Sequence, residues 1–261
     1  MELYKGGNIK TMNISFIIPT RGRIPSLERC LKSIYDLADN PSLIECVLIY
    51  DDDDDETEKY LPIIQSTYSN IIIKKFCLDG RKRQTISNCQ FRVNPAARES
   101  QGKYVWVWGN DIEMKTQSYD TIIETEAELF LKDKPDRLLY LGTNNDESGK
   151  FAPPSGVSCF PVSTRESVNA MGCLFPEEIY HYGADLELYY IYKGLTSNRI
   201  IDLSNTIMLW HWSQYTGRAT IDQITLDAPI GLNTLSIVQR KAYIDKLNKY
   251  LENMNKPATA I

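Results

Sequence analysis

The sequence predicts an α/β fold: a doubly wound sheet, helices on both faces and an extra helix at the C-terminus. Three observations predict it. Short continuous apolar runs, "NISFIIPT", "IECVLIY", "NIIIKKFCL" and "KYVWVW", have the length and character of strands buried on both faces. The stretches between them carry helical spacing, so strand and helix alternate. Near the end, "NTLSIVQRKAYIDKLNKYLENM" repeats apolar residues at Tyr243, Leu247, Tyr250, Leu251 and Met254, the pattern of an amphipathic helix.

Taken in order, residues 1–12 read as a loose lead-in. "NISFIIPT" is a strand stopped by Pro19, and "IPSLERCLKSIYDLA" a helix with Leu27, Leu31 and Ile34 on one face and Ser26 as its expected N-cap. "IECVLIY" is the second strand, "LPIIQSTY" a helix and "NIIIKKFCL" the third strand. "VNPAARESQG" is a helix closed by Gly102, and "KYVWVW" the fourth strand. Beyond residue 115 come a helix "SYDTIIETEAELFLKD", a strand "RLLYLGT", a polar loop "NNDESGKFAPPSG" and a strand "VSCFPVS". Two helices follow, "RESVNAMG" and "GADLELYYIYKGL", then an extended "RIIDLSNTIMLWHW". The terminal helix is expected to dock on the body or on a second subunit, which leaves a homo-oligomer open.

A chain of 261 residues with 43% apolar content can bury a sizeable core. Its formal net charge of −5 argues against nucleic acid as a partner, because that partner demands a basic face. "MELYKGGNIKTMN" has no apolar signal core, and the apolar runs fall short of the roughly 18 residues of a membrane span, so a soluble, cytoplasmic protein is expected. The six cysteines form no CxxC pair and read as reduced core thiols.

Ligands of open α/β sheets sit at the carboxyl ends of the strands. After the first strand come Thr20, Arg21 and Arg23; after the second, Asp51 to Asp55; after the third, "DGRKR"; after the fourth, "GNDIE". A rim that is both acidic and basic suits a diphosphate held through a divalent cation. Five adjacent carboxylates around one ion would match magnesium poorly, since it takes one or two and keeps its waters. At most two of Asp51, Asp52 and Asp53 are expected to face the cleft, with Asp54 and Asp55 capping the next helix or facing solvent.

The ordered motifs "SFIIPTRGR", "VLIYDDDDDE", "NPAARESQGKYVWVWGND", "YGADLEL" and "LWHW" resemble a family 2 type glycosyltransferase of the GT-A fold, over residues 14–220. The resemblance implies a Rossmann-like mixed sheet and divides the chain into a lead-in (1–12), a GT-A domain (13–225, its nucleotide-binding half reaching about residue 115 and its acceptor half following) and a C-terminal helical extension (226–261). It implies transfer of a sugar from a nucleotide-diphosphate donor to a glycan or other hydroxyl acceptor, with inversion.

On the same resemblance, Thr20 and Arg21 support the nucleotide, and Asp51, Asp52 and Asp53 form the aspartate turn that meets the nucleobase. Asp111 is the metal-binding acid for Mn2+ or Mg2+, beside Asn110, which stands where an aspartate is often found and is counted with the donor-binding residues. His211 is a second metal ligand; its competing reading is a buried imidazole between Trp210 and Trp212. Asp185 is the general base, and Glu187 orients it or binds the acceptor. Arg218 and Arg81 are basic groups within reach of the phosphates, and Tyr182 is an acceptor-stacking ring, whereas Tyr189 and Tyr190 are assigned to packing. Asn110 also motivates a different class of function, a non-catalytic domain that binds sugar or protein. A sugar-phosphate nucleotidyltransferase is disfavoured, since "PTRGRIP" has too few glycines for a phosphate-cradling loop.

Overall fold

β1 (Ile14–Pro19) lies between β2 (Ile44–Asp51) and β4 (Tyr104–Val107), parallel to both, and β3 (Ile71–Phe76) extends the sheet beyond β2. The computed structural model describes residues 12–68, 70–76, 92–143, 157–179, 183–212 and 234–255. The second half of the chain continues the same sheet through β7 (Val162–Thr164), antiparallel to β4, then β6 (Tyr140–Gly142) and β8 (Ile200–Asp202). The resulting order is β3-β2-β1-β4-β7-β6-β8. The sheet is therefore mixed: its first half is parallel, and the reversal comes at β7. Strand order turns around at β1, where the chain leaves for β2 and β3 and later returns on the other side as β4. A ligand crevice is expected at such a turning point.

Side-chain alternation along β1 and β4 divides the core in two. Ile14, Phe16, Ile18, Tyr104 and Trp106 join one buried cluster, and Ile17 and Val105 join the other. The first cluster is covered by α1 (Ile24–Asp36), α2 (Asp55–Thr67) and α4 (Tyr119–Leu131), which contribute Leu27, Leu61 and Ile123 among others. The second is covered by α3 (Asn94–Glu99), α5 (Arg165–Met171) and α6 (Ala184–Lys193), with α7 (Ile237–Met254) packed on α5 and α6. Helices thus lie on both faces, as the sequence predicts.

Local chemistry accounts for the helix ends. Asp54 caps α2 by accepting from the Thr57 amide, while Asp55 lies in the first turn. Ser236 caps α7 in a reciprocal capping box with Gln239. Ser26 does not cap α1: that helix starts at Ile24, with Pro25 in its first turn, where a missing N–H costs nothing. Arg23 takes the flanking position in left-handed backbone, and Ser26 Oγ accepts from Arg29 instead.

Gly102 shows why β4 can begin so close to β1. A Cβ there would lie 2.4 Å from the Ser15 backbone nitrogen. Its own N–H donates to Ser15 Oγ, which in turn reaches the buried Glu45 carboxylate.

Two features go beyond the sequence reading. "GNDIE" does not end in a loop: Ile112–Met114 form β5, which pairs antiparallel with β9 (Leu209–His211) in a separate two-stranded sheet. The C-terminal helix docks on its own chain, with Leu247 and Leu251 fully covered, worth about 1.5–3 kcal/mol each. Among the described residues no helix is long and apolar enough to cross a membrane, and the described cysteines are free thiols.

Candidate functional site

Three strand ends meet at the turning point of the sheet. β1 runs into a tight loop in which Gly22 and Arg23 both have left-handed backbone, φ 55° and 54°. Such backbone is costly for arginine and persists only where the surroundings enforce it. Here the Gly22 N–H donates to Asp54 Oδ2 at 2.9 Å and to Thr57 Oγ1 at 3.2 Å, tying the loop to the start of α2.

That tie brings Arg21 against the aspartate run. Its guanidinium lies 3.0 Å from Asp51 Oδ2 and holds Asp53 through both carboxylate oxygens. The hydrogen bond to Asp53 holds the Arg21 pKa above its usual value, against the opposing effect of burial. Asp51 is 1% exposed, and its other oxygen lies 2.7 Å from Arg92. The five aspartates therefore divide their work. Asp51 is buried between two arginines, Asp53 grips Arg21 at the surface, Asp54 caps α2, Asp55 starts that helix, and Asp52 is half-buried. The run is a partly neutralised turn at the end of β2, with two of its carboxylates paired to arginine. Among the described residues, no group of three or more His, Cys, Asp or Glu side chains converges in a form fit to hold a metal.

The end of β4 supplies the next wall. Asn110 is 7% exposed, and its amide donates to Thr20 Oγ1 at 3.0 Å, joining the β1 and β4 loops. Asp111 follows, half-exposed at the mouth. His211, the last residue of β9, faces it with Nε2 3.6 Å from Asp111 Oδ2. The β5–β9 ladder produces this approach, pairing His211 with Ile112, the neighbour of Asp111. The Phe160 ring lies nearly perpendicular to the imidazole at a centroid distance of 5.3 Å. Gly109 leaves room for the carboxylate, since a Cβ there would lie 2.5 Å from Asp111 Oδ1. Glu113 is turned elsewhere, to Lys115 and the Trp212 indole.

A carboxylate oxygen and an imidazole nitrogen at this spacing suit a divalent ion. Neighbouring ligands of an octahedral ion with ~2.1 Å bonds lie about 3 Å apart, so a small side-chain adjustment would let both bind. The donor set is hard oxygen plus nitrogen, and a diphosphate with waters would complete it.

The remaining sequence-selected residues separate. Asp185 lies in the first turn of α6, partly exposed, after Gly183 at φ 95°. It stands near Tyr140, whose phenol is pushed up by burial and further by the Asp185 charge. The Tyr140 hydroxyl accepts from the Ser158 amide, so the short segment through Ser158 and Phe160 spans from Tyr140 to the His211 ring. Glu187 is 0% exposed and gives both oxygens to Arg240 at 2.7 Å. With both oxygens engaged, it holds α7 onto α6, and the expectation of an acceptor-binding role does not carry over to it. Tyr189 and Tyr190 pack on each other, with Tyr140 and Arg240 alongside. Arg81, Tyr182 and Arg218 lie outside the described residues. Arg92 and Gly109 were not singled out by sequence reasoning. Nothing in the spacing of Arg92 marks it, whereas a glycine directly before a polar strand end is a readable signal.

Known proteins agree with this architecture. Residues 15–125, from β1 to the middle of α4, match the model of the family described as Glycosyl transferase family 2. No curated protein sequence matches the chain. Among solved structures, S. aureus TarS 1-349 is 17% identical with a TM-score of 0.56, over 77% of this chain and 60% of that one. The same protein in complex with UDP is 16% identical with a TM-score of 0.57, over 92% and 72%. The mannosyltransferase PcManGT from Pyrobaculum calidifontis, in complex with GDP-Man and Mn2+, is 16% identical with a TM-score of 0.53, over 77% and 59%. The chain thus spans about 60% of the first TarS chain and 59% of the mannosyltransferase. At these identities the likeness is one of fold, and the fold is the GT-A type that the sequence motifs resemble.

Proposed function

We propose that this protein is a glycosyltransferase that moves a sugar from a nucleotide-diphosphate donor to an acceptor hydroxyl, with inversion at the anomeric carbon. One observation carries the reading: Asp111, in the turn before β5, and His211, the last residue of β9, meet at 3.6 Å near the point where the strand order turns. UDP in one structural neighbour, and GDP-Man with Mn2+ in another, support the same class of donor.

In this reading the nucleoside lies along the floor made by Thr20, Arg21 and the aspartate turn, with Asp52 and Asp53 nearest solvent. Asp111 and His211 hold Mn2+ or Mg2+, which when bound neutralises the charge that develops on the leaving diphosphate. Arg81 and Arg218 are basic partners for the same phosphates. Asp185 accepts the proton of the acceptor hydroxyl as its oxygen attacks the anomeric carbon. The bond from that carbon to the phosphate oxygen breaks, and the nucleoside diphosphate leaves from the opposite face. The N-terminal position of Asp185 on α6 favours its ionised, proton-accepting form. Tyr182 offers a ring face to the acceptor.

Asn110 motivates the rival reading, a non-catalytic sugar-binding or protein-binding domain. Its buried amide bonded to Thr20 favours the enzyme, because that position serves to join two loops and a metal-facing carboxylate is not missing from the mouth.

Thermal unfolding with UDP, GDP, CDP or dTDP, each with and without MnCl2, tests the proposal. One diphosphate is expected to stabilise the wild type only with the metal, and Asp111→Ala and His211→Ala should each abolish the effect. Asp185→Asn should keep it, yet lose about 10²- to 10⁴-fold in sugar transfer. No metal-dependent stabilisation by any diphosphate would favour the binding domain. A product retaining the donor's anomeric configuration would remove the inverting assignment.

A further inference from the structure

β5 and β9 contribute three residues each to a sheet of two strands, too short to hold its own register. A slip of one residue would turn every side chain of β9 to the opposite face and carry His211 away from Asp111. Burial of Ile112, Met114 and Leu209, with the bonds of Lys115 and Thr116 to Met208, holds the far end of the ladder, and at the end that carries the pair the residue directly after His211 has the contacts to complete the hold.

Trp212 reaches β5 twice. Its main-chain N–H donates to the Asp111 carbonyl at 2.8 Å, and its indole Nε1–H donates to Glu113 Oε2, also at 2.8 Å. Asp111 and Glu113 flank Ile112, the cross-strand partner of His211, so the two bonds straddle the pair that has to stay in register. The acceptor is itself held: the other Glu113 oxygen takes the Lys115 ammonium, which lies 3.8 Å over the Trp210 ring. The Arg29 guanidinium covers the Trp212 ring at 4.2 Å and ties it to α1. On the same helix, the Cys30 thiol donates to the Gly109 carbonyl, at the other end of the loop that carries Asp111.

We propose that Trp212 is a positioning residue, and that its indole, held by Glu113 and covered by Arg29, fixes the β5–β9 register that presents His211 to Asp111. The consequence for metal binding rests on the metal site proposed above. Outer contacts that orient a metal ligand typically matter by about 10- to 100-fold in affinity.

Three variants separate the parts of this clasp. Trp212→Phe keeps a ring and loses the N–H, Glu113→Ala loses the acceptor, and Glu113→Gln keeps an acceptor oxygen for the indole. Two measurements are made on the full chain: Mn2+ affinity, by paramagnetic resonance titration with MnCl2 alone, and amide hydrogen exchange of the metal-free protein over 109–114 and 207–212. Trp212→Phe and Glu113→Ala should each weaken Mn2+ binding about tenfold or more. The double variant should be no weaker than either single one, since both cut the same bond. Exchange over both segments should accelerate in these variants, and less so in Glu113→Gln, which keeps an oxygen for the indole but loses the Lys115 ion pair.

Unchanged exchange in folded Trp212→Phe and Glu113→Ala would overturn the clasp, whatever the metal does. Losses of affinity that add would overturn it as well. A wild type that fails to bind Mn2+ while the variants still exchange faster would overturn the metal site and leave the clasp standing.

Discussion

Gly109 acts through what it lacks. The missing Cβ would sit 2.5 Å from Asp111 Oδ1, the movable end of a side chain, so a methyl group there displaces the carboxylate and not the backbone. At Gly102 the missing Cβ faces the Ser15 backbone nitrogen at 2.4 Å, and two strands would have to part. The two alanine variants should therefore fail differently. Gly102→Ala should cost about 3 kcal/mol of stability, as overpacking against an unyielding neighbour does. Gly109→Ala should unfold near the wild-type midpoint yet lose the Mn2+-dependent stabilisation by a diphosphate. Thermal melts with and without these ligands check both, and a Gly109→Ala protein that still responds to Mn2+ would show that Asp111 is not confined by this contact. Neither distinction is legible in the sequence, where Gly102 closes a polar stretch and Gly109 follows the apolar run of β4. What matters is the atom across the gap, and that atom belongs to another part of the chain.

At the scale of elements, α6 and α7 show how a helix start can be read correctly and its residues still be misassigned. Asp185 and Glu187 both lie in the first turn of α6, as "GADLEL" suggests. Residues two apart on a helix point about 200° away from each other, so they cannot share a task on one face. Asp185 is left partly exposed, and Glu187 turns inward to Arg240. Removing one partner of a buried ion pair leaves a charge without compensation, and Arg240→Ala should cost about 3 kcal/mol, the low end for such pairs because Arg240 itself is partly exposed. Urea unfolding at neutral pH measures this. A loss well below about 1 kcal/mol would mean that the apolar contacts of Leu247 and Leu251 hold α7 without help from the pair. The sequence announces α7 clearly through its apolar spacing, and the structure adds the Ser236 cap. Its docking face could not be assigned between body and second subunit, because an amphipathic stripe specifies that something covers it and not what.

Across the whole molecule, the candidate site draws on the ends of β1, β2 and β4 in the parallel half and on β9 from the second half. A ligand that bridges these ends should order them together. Bound diphosphate with Mn2+ is expected to slow amide exchange over 20–23, 51–54, 109–112 and 209–212 as one set, while 237–254 stays unchanged, as read by exchange mass spectrometry. Protection confined to the first two segments would indicate a nucleotide held without the Asp111–His211 pair. The two buried clusters on either face make the sheet a rigid support for such a site, since Phe16, Trp106 and Trp108 pack ring against ring directly beneath the strand ends.

The sequence by itself determined the strands of the nucleotide half, the alternation with helices, the amphipathic C-terminal helix and the candidate acids at the strand ends. Those features arise from terms that act within a few residues: apolar periodicity, capping and backbone restriction. Only the tertiary structure decided that Asp51 is sealed between Arg21 and Arg92, that Asn110 joins Thr20, that Glu187 belongs to α7, and that Asp111 meets His211 under the hold of Trp212. Each of these is a distance between residues remote in the chain, set by strand order and register. A carboxylate beside an arginine becomes an ion pair, while the same carboxylate beside an imidazole becomes half of a candidate metal site, and the partner is chosen by the fold.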